Sequence, residues 1–135
     1  MDGGAGLKLL AHKVSDTIQR AGQTPGLAEH GAALAAALQR LGAATKAAWS
    51  TGLPEDALAN ATPYLQAFGH VVLAWIWLDV ALVAPQPGED NNPVRLGKLQ
   101  ACRYFFDYEL PKIDAWLSVV ASRNPTCREM QDDWF

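Results

Sequence analysis

Apolar residues recur at three- and four-residue steps in four successive stretches of this chain, the pattern of helices that each bury one face. Leu7, Leu10, Val14, Ile18 and Ala21 form the first, leaving Lys8, Lys13, Asp16, Gln19 and Arg20 for water, and Gly22 ends it. Thr24-Pro25 reads as an N-cap followed by a first-turn proline. It opens a second stretch on Leu27, Leu34, Leu38, Leu41, Thr45 and Ala48, predicted to end near Trp49. The other positions of that stretch hold nine alanines, a composition that lets neighbouring backbones approach closely. Pro54-Glu55-Asp56 then places a proline and two acids where a helix N-terminus favours them. The third stripe follows on Leu58, Ala61, Leu65, Phe68, Val72, Trp75, Asp79 and Leu82. Pro63 inside it predicts a bend, unless Asn60 caps a fresh start. The run from Pro85 to Pro93 is the clearest loop. A fourth stripe runs through Leu96, Leu99, Arg103, Phe106, Leu110, Ile113, Leu117 and Val120, with Pro111 as a second internal bend.

Residues Ala61 to Ala84 are apolar nearly all the way round, a property of helices in a protein's middle or in a membrane. The apolar run Val71 to Leu78 is interrupted by Asp79, whereas a membrane span needs roughly 20 residues without an acid near the middle. The expected role is therefore the buried central helix of a soluble domain. Four long segments with short connections and no strand alternation predict an all-α fold, an antiparallel up-down four-helix bundle. One domain of 135 residues is expected, divided into a hinge (1–6), the bundle (7–122) and a C-terminal tail (123–135).

Charge narrows the function. The net value is −3, and residues 51–135 carry eleven acids against six Lys/Arg, the wrong sign for nucleic acid or an acidic membrane. Neither partner is expected. Cys102 and Cys127 lack zinc spacing and read as free thiols of a reducing compartment. The start, Met-Asp-Gly-Gly-Ala-Gly-Leu-Lys-Leu-Leu, has neither a basic segment nor a long apolar core, so the cytoplasm is the expected location.

Candidate chemistry is sparse. Asp79 and Arg103 occupy stripe positions where leucine belongs. A hairpin of the last two segments brings together residues whose numbers add to about 176, which sets Asp79 level with Lys98 and near Arg103. A structural polar pair that fixes register is the expected role, with Lys98 as the competing partner. His70 precedes the apolar run without a second histidine at i+4, so it reads as a core histidine bonded to a carbonyl or an acid. His12 and His30 read as surface residues. Glu109 and Asp107 stand among aromatic residues and read as a solvated edge. No nucleophile elbow, phosphate loop or metal-ligand spacing occurs, so catalytic, cofactor-binding and metal residues are expected to be none. Trp77, Trp116, Trp134 and Phe135 offer apolar edges for contact with another surface.

Three stretches carry a likeness to a known family: Ala57 to Leu78, Gly97 to Pro111, and the terminal Asp133-Trp134-Phe135. Together they resemble the C-terminal helical extension of a subgroup of acyl-CoA dehydrogenases, those similar to methylthiopropionyl-CoA dehydrogenase. Met1-Asp-Gly-Gly-Ala5 resembles the hinge that follows the flavin-binding core of such enzymes. The resemblance implies FAD and acyl-CoA oxidation for a parent enzyme, with the flavin site and the glutamate base in segments upstream of the hinge. His70 and Glu109 match the family only as helical residues. The function expected from the resemblance is a non-catalytic domain that packs on the flavin-binding core and assembles a homo-oligomer. The alternative is a free-standing bundle that binds a small apolar ligand or a partner protein.

Overall fold

Small residues decide how closely these helices approach. The computed structural model describes residues 4–84 and 92–135. Within them lie six α-helices: α1 (Ala5–Gly22), α2 (Ala28–Ala48), α3 (Pro54–Leu58), α4 (Ala61–Val83), α5 (Pro93–Tyr104) and α6 (Ile113–Ala121). The protein is all-α, with no strand among the described residues. Gly31 of α2 is buried against α1, where a Cβ would lie 3.1 Å from the Cβ of Ala21 and 3.4 Å from the carbonyl of Ile18. On α2 the buried face is Gly31, Leu34, Ala37, Leu41, Ala44 and Ala48, and on α4 it is Ala67, Val71, Ala74, Leu78 and Ala81. Alternating small and large residues seven apart lets leucines interdigitate between closely spaced backbones.

Helix ends depart from the sequence reading at the start of α2, whereas the fresh start at Asn60, given as the alternative to a bend at Pro63, is the arrangement found. Residues 23–27 form a turn with Gly26 at φ +84°, and α2 begins only at Ala28. Thr24 is therefore not its N-cap. Its hydroxyl donates to the carbonyl of Arg20 at 2.8 Å, closing α1 instead. The third stretch divides into α3 and α4 at Asn60, so Pro63 is the third residue of a new helix. Its missing N–H is one of those that lack an intrahelical partner in any case, and no bend is required. The Asn60 side chain donates to the carbonyl of Asn124 at 3.0 Å rather than capping α4. The expected loop between Pro85 and Pro93 lies largely outside the described residues, and Pro93 itself opens α5 with Asn92 capping the amide of Val94 at 3.0 Å.

Pro111 does interrupt the fourth stretch. A π-helical turn, Phe105–Glu109, and a 3₁₀ turn, Leu110–Lys112, join α5 to α6. Pro111 has no amide to give, and the wider turn absorbs the lost bond. A π turn also slips the helical phase by about one residue. Upstream of it the inward residue is Cys102, 1% exposed, and Arg103 points out; downstream, Leu110, Ile113, Leu117 and Val120 are buried as their spacing predicts.

Polar contacts reveal chain direction. The hydroxyls of Thr45 and Tyr64, 2.9 Å apart, set the end of α2 beside the start of α4, an antiparallel pair. Arg40 bonds Asp114 at 3.0 Å, and Arg123 donates to the carbonyl of Ala47 at 3.0 Å, so α2 and α6 run parallel. The indole of Trp75 donates to Thr17 at 2.8 Å and Arg20 pairs with Asp79 at 2.6 Å, which makes α1 and α4 parallel as well. A ring in which every neighbour is antiparallel does not describe this packing. The tail begins at Arg123, whose positive φ of 51° turns its guanidinium back over the last carbonyls of α2.

Candidate interaction surface

Helix α4 is not enclosed. Its inward face carries alanines, valine and leucine against α1, α2 and α6, whereas Leu65 (66% exposed), Leu73 (44%), Ile76 (47%) and Val83 (72%) stand on the opposite side. The sequence expectation of a buried central helix is thus corrected: only one stripe of it is core. By length and composition α4 could cross a membrane, with 28% of its most apolar window buried. At its first turn the outward stripe meets an apolar cavity of about 760 Å³ between the start of α1, the end of α2, α3 and α4. Leu7, Trp49, Leu58, Tyr64, Leu65 and Phe68 line it. The Thr45 hydroxyl donates to the carbonyl of Leu41 at 2.8 Å, so in the contact with Tyr64 the phenol is the donor. Leu65 belongs both to this outward stripe and to the lining of the cavity.

Two of the aromatic residues singled out from sequence belong elsewhere. Trp77 and Trp116 are half-buried and pack against the core. Trp134 and Phe135 are exposed, at 65% and 94%. Leu65, Leu73, Ile76 and Val83 escaped sequence reading because every face of α4 is apolar, so hydrophobicity alone gives no phase. The spacing of Ala67, Ala74 and Ala81 was the available signal, since small residues at seven-residue steps mark a close helix contact.

The polar pair read from sequence does not form. Asp79 faces α1 and accepts from Arg20, and Arg103 pairs one turn on with Asp107 at 3.4 Å. Lys98 is exposed. The angular positions differ from those expected, and Arg103 lies just before the π turn, on the outward side of α5. Both ion pairs are about half in water, where such contacts contribute about 0–1 kcal/mol.

His70 and Glu109, matched only as helical residues, do meet. The imidazole Nε2 lies 3.1 Å from Glu109 Oε2, and Nδ1 lies 3.2 Å from the carbonyl of Gln66. The ring contacts Trp116 edge-on at 4.8 Å and Phe105 at 5.7 Å. Lys112 donates to both Glu109 oxygens at 2.8 and 2.9 Å. The π turn is what carries Glu109 to α4. His30, read as a surface residue, is half-buried and stacks on Phe106 at 4.6 Å.

Bonds from Lys112 and then His70 hold the Glu109 carboxyl below its usual range. A carboxyl lowered in the folded state adds stability above its unfolded pKa, about 4.3, and loses it as pH falls through the folded value. Urea unfolding of the wild type and Glu109→Gln should therefore differ at about pH 6 and converge by about pH 3. A gap that persists or widens on acidification contradicts this.

Cys102 is buried in apolar surroundings that push its thiol up to about 11, which suits packing and not nucleophilic attack. Cys127 is exposed and free. No group of three or more His, Cys, Asp and Glu side chains that could hold a metal occurs among the described residues. The larger cavity has no charged residue in its lining to meet a dinucleotide's pyrophosphate, so that cavity does not fit FAD.

These features define a helical domain whose polar clusters tie helices together. The chain belongs to the acetyl-CoA dehydrogenase C-terminal like family, whose model matches residues 10–131. Comparison with curated proteins and with solved structures returned no match.

Proposed function

We propose that this chain is the non-catalytic helical domain of an FAD-dependent acyl-CoA dehydrogenase of the methylthiopropionyl-CoA dehydrogenase type, packing on the flavin-binding core and joining subunits in the cytoplasm. The observation that carries the reading is the outward stripe of α4. Leucine, isoleucine and valine side chains left in water are unfavourable by about 25 cal/mol per Å² of apolar surface, and burying them in an assembly recovers that energy. Membership in a family of C-terminal-like domains of such enzymes supports this reading, in which the partners are the flavin-binding core and a second copy of the domain across the subunit contact. Flavin and thioester chemistry belong to that core in this reading, and the helical domain supplies position and rigidity.

The apolar cavity supports a second reading, a free-standing domain that holds a small apolar ligand against Trp49, Tyr64 and Phe68. One experiment separates the two. The purified chain is mixed with a flavin-loaded acyl-CoA dehydrogenase core lacking its helical extension, and acyl-CoA oxidation and complex formation are measured. The chain alone should show no turnover and should bind the core. Turnover by the isolated chain, or failure to bind any such core, overturns the assignment.

A further inference from the structure

A second cleft, of about 490 Å³, opens between the α1–α2 turn, the last turn of α4 and the first turns of α5. Its chemistry differs from that of the larger cavity. Leu27, Leu82 and Leu99 form an apolar floor, whereas Arg95, Arg103 and His30 supply cationic or hydrogen-bonding groups around it. No acid lines the cleft among the described residues, although the chain as a whole carries a net charge of −3. Asp107, which lies 3.4 Å from Arg103 Nε, is outside the lining.

The sharper observation is Arg95. Its Nε is buried and has no hydrogen-bond partner, the one such side-chain nitrogen or oxygen among the described residues. Guanidinium groups are always charged, and a buried donor without an acceptor is unfavourable unless something else fills the position. A carboxylate or phosphate answers both the charge and the vacant donor, because a guanidinium presents its N–H groups in the fork geometry such anions match. The flanking leucines, in turn, suit an uncharged hydrocarbon body. A volume of about 490 Å³ falls within the usual span of small-molecule sites.

We propose that this cleft binds a small amphipathic anion, with a carboxylate or phosphate monoester head held by Arg95 and Arg103 and an apolar body resting on Leu27, Leu82 and Leu99. None of Leu65, Leu73, Ile76 and Val83 lines the cleft, and the site does not depend on the proposed assembly role.

Calorimetric titration of the full chain tests it with four probes below their micellar concentrations: octyl phosphate, octanoate, neutral octanol and inorganic phosphate. At least one of the two anionic amphiphiles should bind, and which one does identifies the head group. Octanol and inorganic phosphate should each bind at least tenfold more weakly. Arg95→Gln should weaken binding of the preferred probe about tenfold or more. Arg103→Gln, at an exposed position where folding is not at stake, should weaken it in the same direction, and added salt should do likewise. Helix content and melting of both variants are recorded alongside. Binding of octanol as tight as that of the anions, binding of inorganic phosphate as tight as that of octyl phosphate, or no binding at all would overturn the proposal. Affinity untouched by both substitutions would do the same.

Discussion

Leu78→Ala is expected to destabilise the domain by about 3 kcal/mol, within the usual span of 2–5 for a buried leucine. Leu78 is fully buried on α4, among the valine and alanines that meet α1, α2 and α6. Truncation removes its transfer energy and leaves a cavity that closely packed alanines cannot fill by moving inward. Ile76→Ala, two residues away, supplies the contrast. Its side chain is 47% exposed on the opposite face, so the monomer should lose less than about 1 kcal/mol. Urea denaturation at a concentration low enough to keep the chain monomeric measures both. Equal losses would mean that α4 is buried on both sides, as its composition suggests, and would reverse the orientation described above.

That contrast also marks where sequence reading succeeds. Elements were legible wherever apolar and polar faces differ. In α1, the line Val14, Ile18 and Ala21 against Lys13, Asp16 and Gln19 gives both the helix and its inward side. In α6 the same holds for Ile113, Leu117 and Val120. Helix α4 has no polar face to set its phase, and existence of the helix was all the pattern could yield. The third-stretch stripe ran through Leu65, which is exposed, and passed over Leu78, which is not.

Polar contacts failed for a different reason. Asp79 was recognisable as an anomaly, but its partner Arg20 lies 59 positions away in sequence, in a helix that packs parallel to α4. An all-antiparallel arrangement hides that neighbour. Thr17, 2% exposed and hydrogen-bonded to Trp75, was invisible in the same way. Arg103 was misplaced because a π turn adds about one residue to the helical count and no residue type announces it. Pro111 was the nearest hint, and it pointed to a bend instead of a change of phase. His70 was expected to bond a carbonyl or an acid and Glu109 to lie on a solvated edge, and nothing in the pattern joined the two.

The second large effect concerns the outward stripe. Leu73→Glu with Ile76→Glu places two charges in the middle of the exposed apolar surface of α4, three residues apart and so on one side of the helix. Neither position is core, so the fold should persist with little change in melting. Contact with another apolar surface should not persist, since an unpaired carboxylate in a dry interface is strongly unfavourable. A loss of association of at least about hundredfold is expected, near 2.8 kcal/mol or more. Substituting Trp77 in the same way should instead damage the fold, because its ring packs on the core.

Sedimentation velocity of the wild-type chain beside the Leu73→Glu/Ile76→Glu variant, across a range of concentrations, reads the matter most directly. The wild type should move as a species heavier than its 14.6 kDa chain mass, and the variant should run as a folded monomer with unchanged helix content. Two chains that both stay monomeric at every concentration, or that associate to the same extent, would contradict an outward stripe of α4 made for contact between subunits.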